Sequence, residues 1–535
     1  MTAGPAGSPV PPAAGPAQAR HAMVATVDPT ASAAGLAALR QGGTAVDAAL
    51  AANAVLAVTS QHLCGVGGDL FAIVRPPAGT PPVVLNASGR AGSGADAHAL
   101  RAQGHRRMPH RDDIRAVTVP GCVDGWVALH QCFGRRPWQD LLAPAIAAAT
   151  EGFAASPTLA AAAAFCHGRP GAEVFAPARG VSPGMWLRRP RLAASLQRLA
   201  QGGREEWYGG VMAPGLVARG EGLFRPTDVT APHADWVDPL ALEAWGQRLW
   251  TTPPNTQGYL TITAAHVASR LDLPNDPDDP AWAHLLIEAA KLVGHDREHV
   301  LHERSDLTDH LDLRRLGDLA TSIGTRARRT TATLHRGDTT CVCVVDADGM
   351  AVSLIQSNAS GFGSGLVLEA PEVFLHNRGI GFNLRPGHPA ELAPGRRPPH
   401  TLSPLLITTA DGALHSVLGT MGGDSQPQIL LQLLARLLHA GQDPAEALAA
   451  GRWALVNGGG PPGFSTWAEG MPTVVEVEGQ APGVWVDALT ARGHAVRRTA
   501  SLSSGMGHAQ VITVTARGLA GAADPRTGIG SAIGL

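Results

Sequence analysis

Apolar residues near the N-terminus recur at helical spacing in two neighbouring segments. The first segment predicts a short helix from Ala31 to Arg40, closed by the Gly42-Gly43 pair. The second predicts a helix from Ala45 to about Thr59, with the Thr44 side chain as its N-cap. The polar and apolar pattern therefore begins with a helical pair.

The pattern then alternates between strand and helix. The glycine-rich turn CGVGGDL leads into the strand-like segments FAIV and VVLNASGR, which flank a PPAGTPP turn. Asp140 to Thr150 has helical spacing, and residues 155–320 are predicted to be mostly helical, with proline and glycine loops between the helices.

A change of pattern near residue 321 predicts a boundary. Residues 321–338, TSIGTRARRTTATLHRGD, are polar, basic and rich in threonine, which favours an exposed linker. The next segment, TTCVCVVDADGMAVSLIQS, alternates on both sides of an Asp-Ala-Asp-Gly turn and predicts a β-hairpin. LLITTADGALHSVLG and AQVITVTA alternate in the same way, and Leu430 to Ala440 predicts a helix. The order of elements favours an α+β fold of stacked α, β, β and α layers.

Composition excludes several classes of protein. The chain has 535 residues, of which 44% are hydrophobic and 16% charged, as in a folded globular protein. Residues 1–20 are rich in proline and alanine and are expected to form a disordered tail. A net charge of -2 argues against a nucleic-acid partner. The sequence shows neither a signal peptide nor a bilayer-spanning segment, so we expect no membrane partner and a cytoplasmic location.

Thr339 follows the linker directly and opens the predicted hairpin. A threonine at a free N-terminus carries its own base, since its α-amine can take the proton of its hydroxyl. Scission of the Asp338–Thr339 bond would create that terminus, through attack of the same hydroxyl on the preceding carbonyl. On the local pattern alone, two β-branched residues that simply begin a strand are the better explanation.

A match over several blocks decides between these interpretations. GDTTCVCVVDADGMAVSLIQSNASGFGSG resembles the start of the small subunit of γ-glutamyltransferases. The blocks DPTASAAGLAALRQGGTAVDAALAANAVLAVTSQHLCGVGGDLF, NASGRA, VPGCVDGW, RPPHTLSPLL and GTMGGDSQPQ match that family in the same order. The resemblance implies an N-terminal-nucleophile αββα sandwich, built from a large subunit (21–338) and a small subunit (339–535) of one autoprocessed precursor.

The same resemblance implies roles for individual residues. Thr339 is the expected nucleophile, with Ser357 holding it in position. The backbone N–H groups of Gly422 and Gly423 are the expected oxyanion hole, and Arg90 matches the arginine that binds a substrate carboxylate. The family's chemistry implies a small-molecule amide substrate, no cofactor and no metal.

Several positions depart from the γ-glutamyl pattern. Arg378 and Gly381 stand where the family has two acidic residues that bind the substrate's ammonium group. His400 and Thr401 replace the paired serines of the substrate pocket, and the resemblance implies that they too bind the substrate. Cys341 follows the threonine pair where histidine is commoner. The surrounding pattern is similar to that of oxamate amidohydrolases and cephalosporin-type acylases. With Arg90 and Arg378 as substrate-binding residues, it predicts an acyl group that carries a carboxylate and no ammonium. Genuine γ-glutamyl transfer or glutathione hydrolysis is the alternative.

Two further hypotheses come from other classes of protein. His295, Glu298 and His299 match the HxxEH pattern of zinc proteases, with His302 on the same predicted helix face. The chain would alternatively be an uncleaved, non-catalytic binding protein. A serine-hydrolase elbow at Gly180–Gly184 is rejected, since Pro183 lacks the N–H that must follow the serine.

Overall fold

The computed structural model describes residues 15–77, 80–328, 338–457 and 473–535. Two seven-stranded, mainly antiparallel sheets lie face to face at its centre. The strands within these ranges are β1 Ala17–Ala19, β2 Met23–Thr26, β3 Asp69–Arg75, β4 Val83–Ala87, β5 Phe153–Ala154, β6 Trp186–Leu187, β7 Asp235–Val237, β8 Leu240–Ala244, β9 Gln247–Thr251, β10 Asp338–Val345, β11 Ala351–Ala359, β12 Val367–Leu368, β13 Val373–Phe374, β14 Leu405–Thr408, β15 Leu414–Thr420, β16 Trp453–Asn457, β17 Thr473–Val477, β18 Ala495–Arg498, β19 Ala509–Thr515, β20 Gly518–Ala523 and β21 Ser531–Gly534.

The helices cover both outer faces of this pair of sheets. Their bounds are α1 Pro29–Arg40, α2 Ala45–Thr59, α3 Ala97–Ala102, α4 Cys122–Phe133, α5 Trp138–Glu151, α6 Pro157–Ala162, α7 Pro190–Glu205, α8 Ala213–Gly220, α9 Pro226–Thr230, α10 Gly258–Ala268, α11 Pro280–Gly294, α12 Arg297–Val300, α13 Leu313–Thr321, α14 Gln426–Leu434, α15 Pro444–Ala449 and α16 Val484–Ala491.

The sheets share one apolar layer. The first sheet has the strand order β21-β2-β10-β11-β3-β4-β7, and the second has the order β1-β20-β19-β15-β14-β9-β8. Phe71, Cys341 and Ile355 from the first sheet pack against Leu406 and Val417 from the second. Side chains alternate across a strand, so one face of β10 fills this layer while the other packs on helices.

The helical layers complete the sandwich. Helices α1, α2, α4, α5 and α7 pack on the first sheet, and α10, α11 and α14 pack on the second. Helix α2 is buried along its whole length, and a reciprocal capping box between Thr44 and Asp47 fixes its start. The predicted αββα layers are confirmed.

Most of the predicted elements are present, and some bounds differ. The hairpin of β10 and β11 and the helix from Ala45 to Thr59 are confirmed. Helix α14 begins at Gln426, before the predicted Leu430, and a π-helical turn continues it over Ala435–His439. The mostly helical interpretation of 155–320 is wrong for β7, β8 and β9. The last two form a tight hairpin whose turn residues, Trp245 and Gly246, both have positive φ.

The predicted tail and linker extend partly beyond the described ranges. Strand β1 pairs with β20, so Ala17–Ala19 are ordered, contrary to the prediction for 1–20; residues 1–14 lie outside the description. Helix α13 extends to Thr321, and residues 322–328 are mostly exposed, while 329–337 are not described. Across the described ranges, every helix is too short or too polar to reach from one side of a bilayer to the other.

Candidate active site

Thr339 lies at an irregularity in the pairing of β10 with β11. Asp338 is opposite Ala359, and Thr340 is opposite Gln356, so the partner strand has one residue more than β10 at this point. Ala359 has a φ of 75°, a backbone conformation that is rare outside glycine. Such a bulge bends the strand and redirects its side chains. At this irregularity the buried Thr339 hydroxyl lies within hydrogen-bond distance of Ser357 on the partner strand.

The Ser357 hydroxyl makes three of the hydrogen bonds that define the site. It donates a hydrogen bond to the carbonyl oxygen of Asp338 over 2.7 Å. It accepts one from the Thr339 hydroxyl over 3.1 Å and one from the Ala359 N–H over 2.9 Å. The carbonyl of the predicted scissile bond is therefore polarised by the same hydroxyl that holds the nucleophile.

Arg378 places a buried positive charge next to the Ser357 hydroxyl. Its Nη2 is 3.4 Å from the Ser357 hydroxyl oxygen, and its Nη1 is 3.3 Å from the Thr401 hydroxyl oxygen. Burial lowers the pKa of Arg378 to about 10, and the nearby carboxylates of Asp69 and Asp424 oppose that shift. The guanidinium therefore stays charged at neutral pH.

Asp69 supplies a negative counter-charge, and the neutral His400 ring donates a hydrogen bond to it. The Thr401 N–H donates to Nδ1 of His400 over 3.0 Å, so Nε2 carries the ring proton and donates to Asp69 Oδ2 over 3.3 Å. Burial lowers the pKa of His400 to about 3, so the ring is neutral. Burial also raises the pKa of Asp69, but His376, His400 and the Gly89 N–H outweigh it and hold the pKa below its usual range.

Gly422 and Gly423 form a turn that only glycine adopts readily. Their φ values are 143° and 57°, and a Cβ on Gly422 would lie 2.7 Å from the Ile429 side chain. Gln257 donates to the carbonyl oxygens of Thr401 and Gly423, over 3.0 Å and 2.9 Å. The predicted oxyanion turn is thus tied to the loop that contacts Arg378. Its role in binding an oxyanion remains a prediction.

A second arginine holds that connection in place. Arg297 donates through Nε and Nη2 to the Gln257 side-chain oxygen, over 3.0 Å and 2.8 Å. Its Nη2 also pairs with Asp424 over 2.8 Å. Hydrogen bonds connect Thr339 to Ser357, Ser357 to Arg378, and Arg378 to Thr401. Gln257 connects Thr401 to Gly423, and Arg297 holds the Gln257 side chain in place.

Two positions singled out in the sequence, Arg90 and Gly381, are not part of this hydrogen-bond network. Arg90 is 36% exposed, pairs with Glu303 and Asp235, and makes no hydrogen bond to this network within the described ranges. Its carboxylate-binding role therefore stays a prediction. Gly381 is packed so closely on the carbonyl of Pro399 that even a Cβ would clash. An acidic side chain at position 381 is sterically excluded.

The residues of the predicted HxxEH zinc pattern do not lie on one helix. Helix α11 ends at Gly294 and α12 spans only Arg297–Val300, so the HxxEH residues do not share a continuous helix face. Glu298 instead forms an ion pair with Arg385. In the part of the chain that the structure describes, ligand-like spacing occurs elsewhere, at His284, Glu288 and His494.

Comparisons with known proteins concern the family and the overall fold of the chain. A family model described as gamma-glutamyltranspeptidase matches residues 31–534. The oxamate amidohydrolase proenzyme of Klebsiella pneumoniae is 36% identical over 527 residues, covering 95% of this chain and 97% of that protein. The glutathione hydrolase-like YwrD proenzyme of Bacillus subtilis is 32% identical over 534 residues, covering 96% and 98%. A crystal structure of cephalosporin acylase from Bacillus halodurans has a TM-score of 0.88 at 30% identity, covering 100% of this chain and 99% of that one.

The αββα layers and these structural neighbours define an N-terminal-nucleophile hydrolase. The chain belongs to the gamma-glutamyltranspeptidase family, whose members are autoprocessed hydrolases and transferases.

Proposed function

We propose that this chain cleaves itself between Asp338 and Thr339 and then hydrolyses small amides whose acyl group carries a carboxylate and no ammonium. The observation that supports this substrate class is the buried guanidinium of Arg378 beside the Ser357 hydroxyl. A buried cation attracts a carboxylate and repels an ammonium group, and the effect is strong where water is excluded.

Self-cleavage follows from the contacts of Ser357. The Thr339 hydroxyl oxygen attacks the Asp338 carbonyl carbon, and the Ser357 hydroxyl, 2.7 Å from the carbonyl oxygen, stabilises the developing negative charge. The C–O bond forms as the C–N bond breaks, and the amine of Thr339 takes the hydroxyl proton. Water then hydrolyses the ester, which leaves Asp338 with a terminal carboxylate and Thr339 with a free α-amine.

The mature reaction repeats this chemistry on an external amide. The Thr339 α-amine takes the hydroxyl proton as the oxygen attacks the substrate's carbonyl carbon, and that proton passes to the departing amine. The N–H groups of Gly422 and Gly423 stabilise the oxyanion in this proposal. Water attacks the resulting Thr339 ester, releases the acid and restores the hydroxyl; an amine in place of water would give acyl transfer.

The relatives' names support an amide hydrolase and leave the acyl group open. One is named as an oxamate amidohydrolase, others as acylases, and others as glutathione hydrolases. Arg378 and the closed space at Gly381 argue against the γ-glutamyl group, because no acidic side chain there can hold its ammonium. The two cleavage products would remain partners in one enzyme, and a cytoplasmic location stays a prediction.

The purified, processed protein tests the substrate class directly. We expect kcat/KM for oxamate and for a glutaryl amide to exceed that for γ-glutamyl-p-nitroanilide at least tenfold. A clear preference for the γ-glutamyl compound would refute the proposal and favour glutathione hydrolysis. A single full-length band on a denaturing gel, with no amidase activity, would instead support the uncleaved binding protein.

A further inference from the structure

The side chain of Asp338 occupies a defined place beside the predicted scissile bond. Its Oδ2 accepts a hydrogen bond from the Gly361 N–H over 2.8 Å. A Cβ built on Gly361 would lie 3.6 Å from that oxygen and 3.6 Å from Nη2 of Arg111. The carboxylate and the guanidinium therefore face the same small space, which the missing side chain of Gly361 leaves open.

Arg111 is held in position mainly by an aromatic ring. Its guanidinium carbon lies 4.2 Å from the ring centre of Phe165, and Arg169 lies 4.1 Å from the same ring. Arg169 has an acidic partner of its own, because it pairs with Asp112. Among the residues described, Arg111 forms no ion pair within bonding distance, and its buried Nε has no hydrogen-bond partner.

We propose that Arg111 forms a subsite for the carboxylate of the substrate's acyl group, and that the Asp338 side chain occupies this subsite until the chain is cleaved. The inference rests on the function proposed above and specifies its substrate class. Cleavage makes Asp338 the end of the large subunit, so its carboxylate is free to leave. Arg111 then faces an open position that an anion of the substrate can fill.

Asp338 also gives the length of the acyl group. In the uncleaved chain the carbon attacked by Thr339 is the Asp338 carbonyl carbon, and two further carbons separate it from the side-chain carboxylate. The external acyl group with this spacing is succinyl, in which two CH₂ groups join the amide carbonyl to the carboxylate. Because self-cleavage and catalysis both present a carbonyl carbon to the same hydroxyl, the two carboxylates are expected to reach the same place.

Arg378 and Arg111 would then serve acyl groups of different length. Arg378 contacts Ser357 directly, so it lies beside the reacting carbonyl and suits a carboxylate bonded straight to that carbon. Arg111 instead faces the space beside Gly361 that the Asp338 carboxylate also faces, and two carbons separate that carboxylate from the reacting carbonyl. A succinyl group is long enough to extend toward Arg111, whereas an oxalyl group is not.

A series of p-nitroanilides tests the subsite on the processed enzyme. The acyl groups are oxalyl, malonyl, succinyl and glutaryl, with butyryl as the neutral match for succinyl. We expect succinyl to have the highest kcat/KM, and Arg111→Gln to lower the succinyl-to-butyryl ratio at least about tenfold. Arg169→Gln removes the same charge from the same ring, and it should keep that ratio within about twofold.

Binding of succinate itself, measured by calorimetry, gives a readout apart from turnover. Succinate should bind the processed enzyme and fail to bind the uncleaved Thr339→Ala chain, in which Asp338 is still in place. Adding Asp338→Ala to that uncleaved chain should restore binding.

The results separate this inference from the function on which it rests. Equal losses on succinyl and butyryl substrates in Arg111→Gln, or a series that peaks at another length, would overturn the subsite and leave amide hydrolysis standing. A processed wild-type enzyme that hydrolyses none of the carboxylate-bearing substrates would overturn both.

Discussion

At the scale of single residues, the site depends on how one serine distributes its hydrogen bonds. The Ser357 hydroxyl has one proton, and the structure directs it to the Asp338 carbonyl. Its lone pairs accept from Thr339 and Ala359, while Arg378 adds a positive charge 3.4 Å away. Negative charge that develops on the Asp338 oxygen is therefore met by a donor that is already in place.

Removal of this donor should slow self-cleavage. We expect Ser357→Ala to reduce the cleavage rate by roughly 10²–10³-fold, the usual effect of losing one oxyanion donor, and Thr339→Ala to abolish cleavage. A time course on denaturing gels measures both rates. Ser353→Ala is the matched control, since this buried serine on the same strand donates instead to the Leu418 carbonyl. Cleavage of Ser357→Ala at the wild-type rate would contradict the assigned role.

The sequence predicted the residues around Thr339 better than the buried residues that hold them in place. Ser357, Arg378 and Thr401 were all named from the resemblance, and the structure joins them through hydrogen bonds. Gln257 and Arg297 were not predicted, because they lie far from the catalytic motifs in the sequence and reach them only through the fold. Neither residue stands out locally, since Gln257 follows a Pro-Pro-Asn-Thr loop and Arg297 lies in the charged segment HDREH.

At the scale of elements, the hydrophobic periodicity predicted the long, regular elements and missed the short strands. Helix α2 keeps its predicted bounds because fifteen buried residues and a capping box specify them together. Strands β8 and β9 have only five residues each, and their turn contains Trp245 at a positive φ, which no turn preference predicts. The bulge opposite Thr339 likewise depends on pairing between strands, which one strand's sequence does not contain.

The end of the described linker is anchored by Lys291, the only lysine in the sequence. Its ammonium group donates to Glu288 over 2.8 Å, to the Arg328 carbonyl over 3.2 Å, and to His494 Nδ1 over 3.2 Å. The Glu288 carboxylate in turn accepts the Arg328 N–H over 3.0 Å. The ammonium thus contacts Glu288 and His494, two of the three residues with ligand-like spacing, and it joins residues on both sides of the predicted cleavage point.

Loss of this lysine should destabilise the fold strongly. Lys291→Met leaves the buried carboxylate of Glu288 without its cation, and we expect the free energy of unfolding to fall by about 3–5 kcal/mol. Chemical denaturation of the uncleaved Thr339→Ala chain measures this change without subunit dissociation. The double variant Lys291→Met/Glu288→Gln should recover part of the loss, since it removes the unpaired charge. A single variant as stable as its parent would contradict the argument.

At the scale of the whole molecule, neutral histidines are buried in several separate layers. Burial is the largest cause that lowers the pKa of each of them. The pKa falls to about 3 for His62, His400 and His494, and to about 4 for His233 and His508. In the unfolded chain these rings return to an ordinary pKa near 6.5. Acid therefore protonates the unfolded chain first.

The sign of the resulting pH dependence follows from proton binding. Between about pH 6.5 and pH 4 the unfolded chain binds more protons than the folded one, so the free energy of unfolding falls as the pH falls. Each histidine that is protonated only on unfolding contributes up to about 1.4 kcal/mol per pH unit. We expect the melting temperature of the uncleaved Thr339→Ala chain to change little between pH 8 and 7 and to fall progressively from pH 6.5 to 4.5 at constant ionic strength. His62→Gln can keep the hydrogen bond to Thr158. It should make the fall shallower, because unfolding then takes up as much as one proton fewer. A melting temperature that stays level or rises over the same interval would show that these rings are already protonated in the folded molecule.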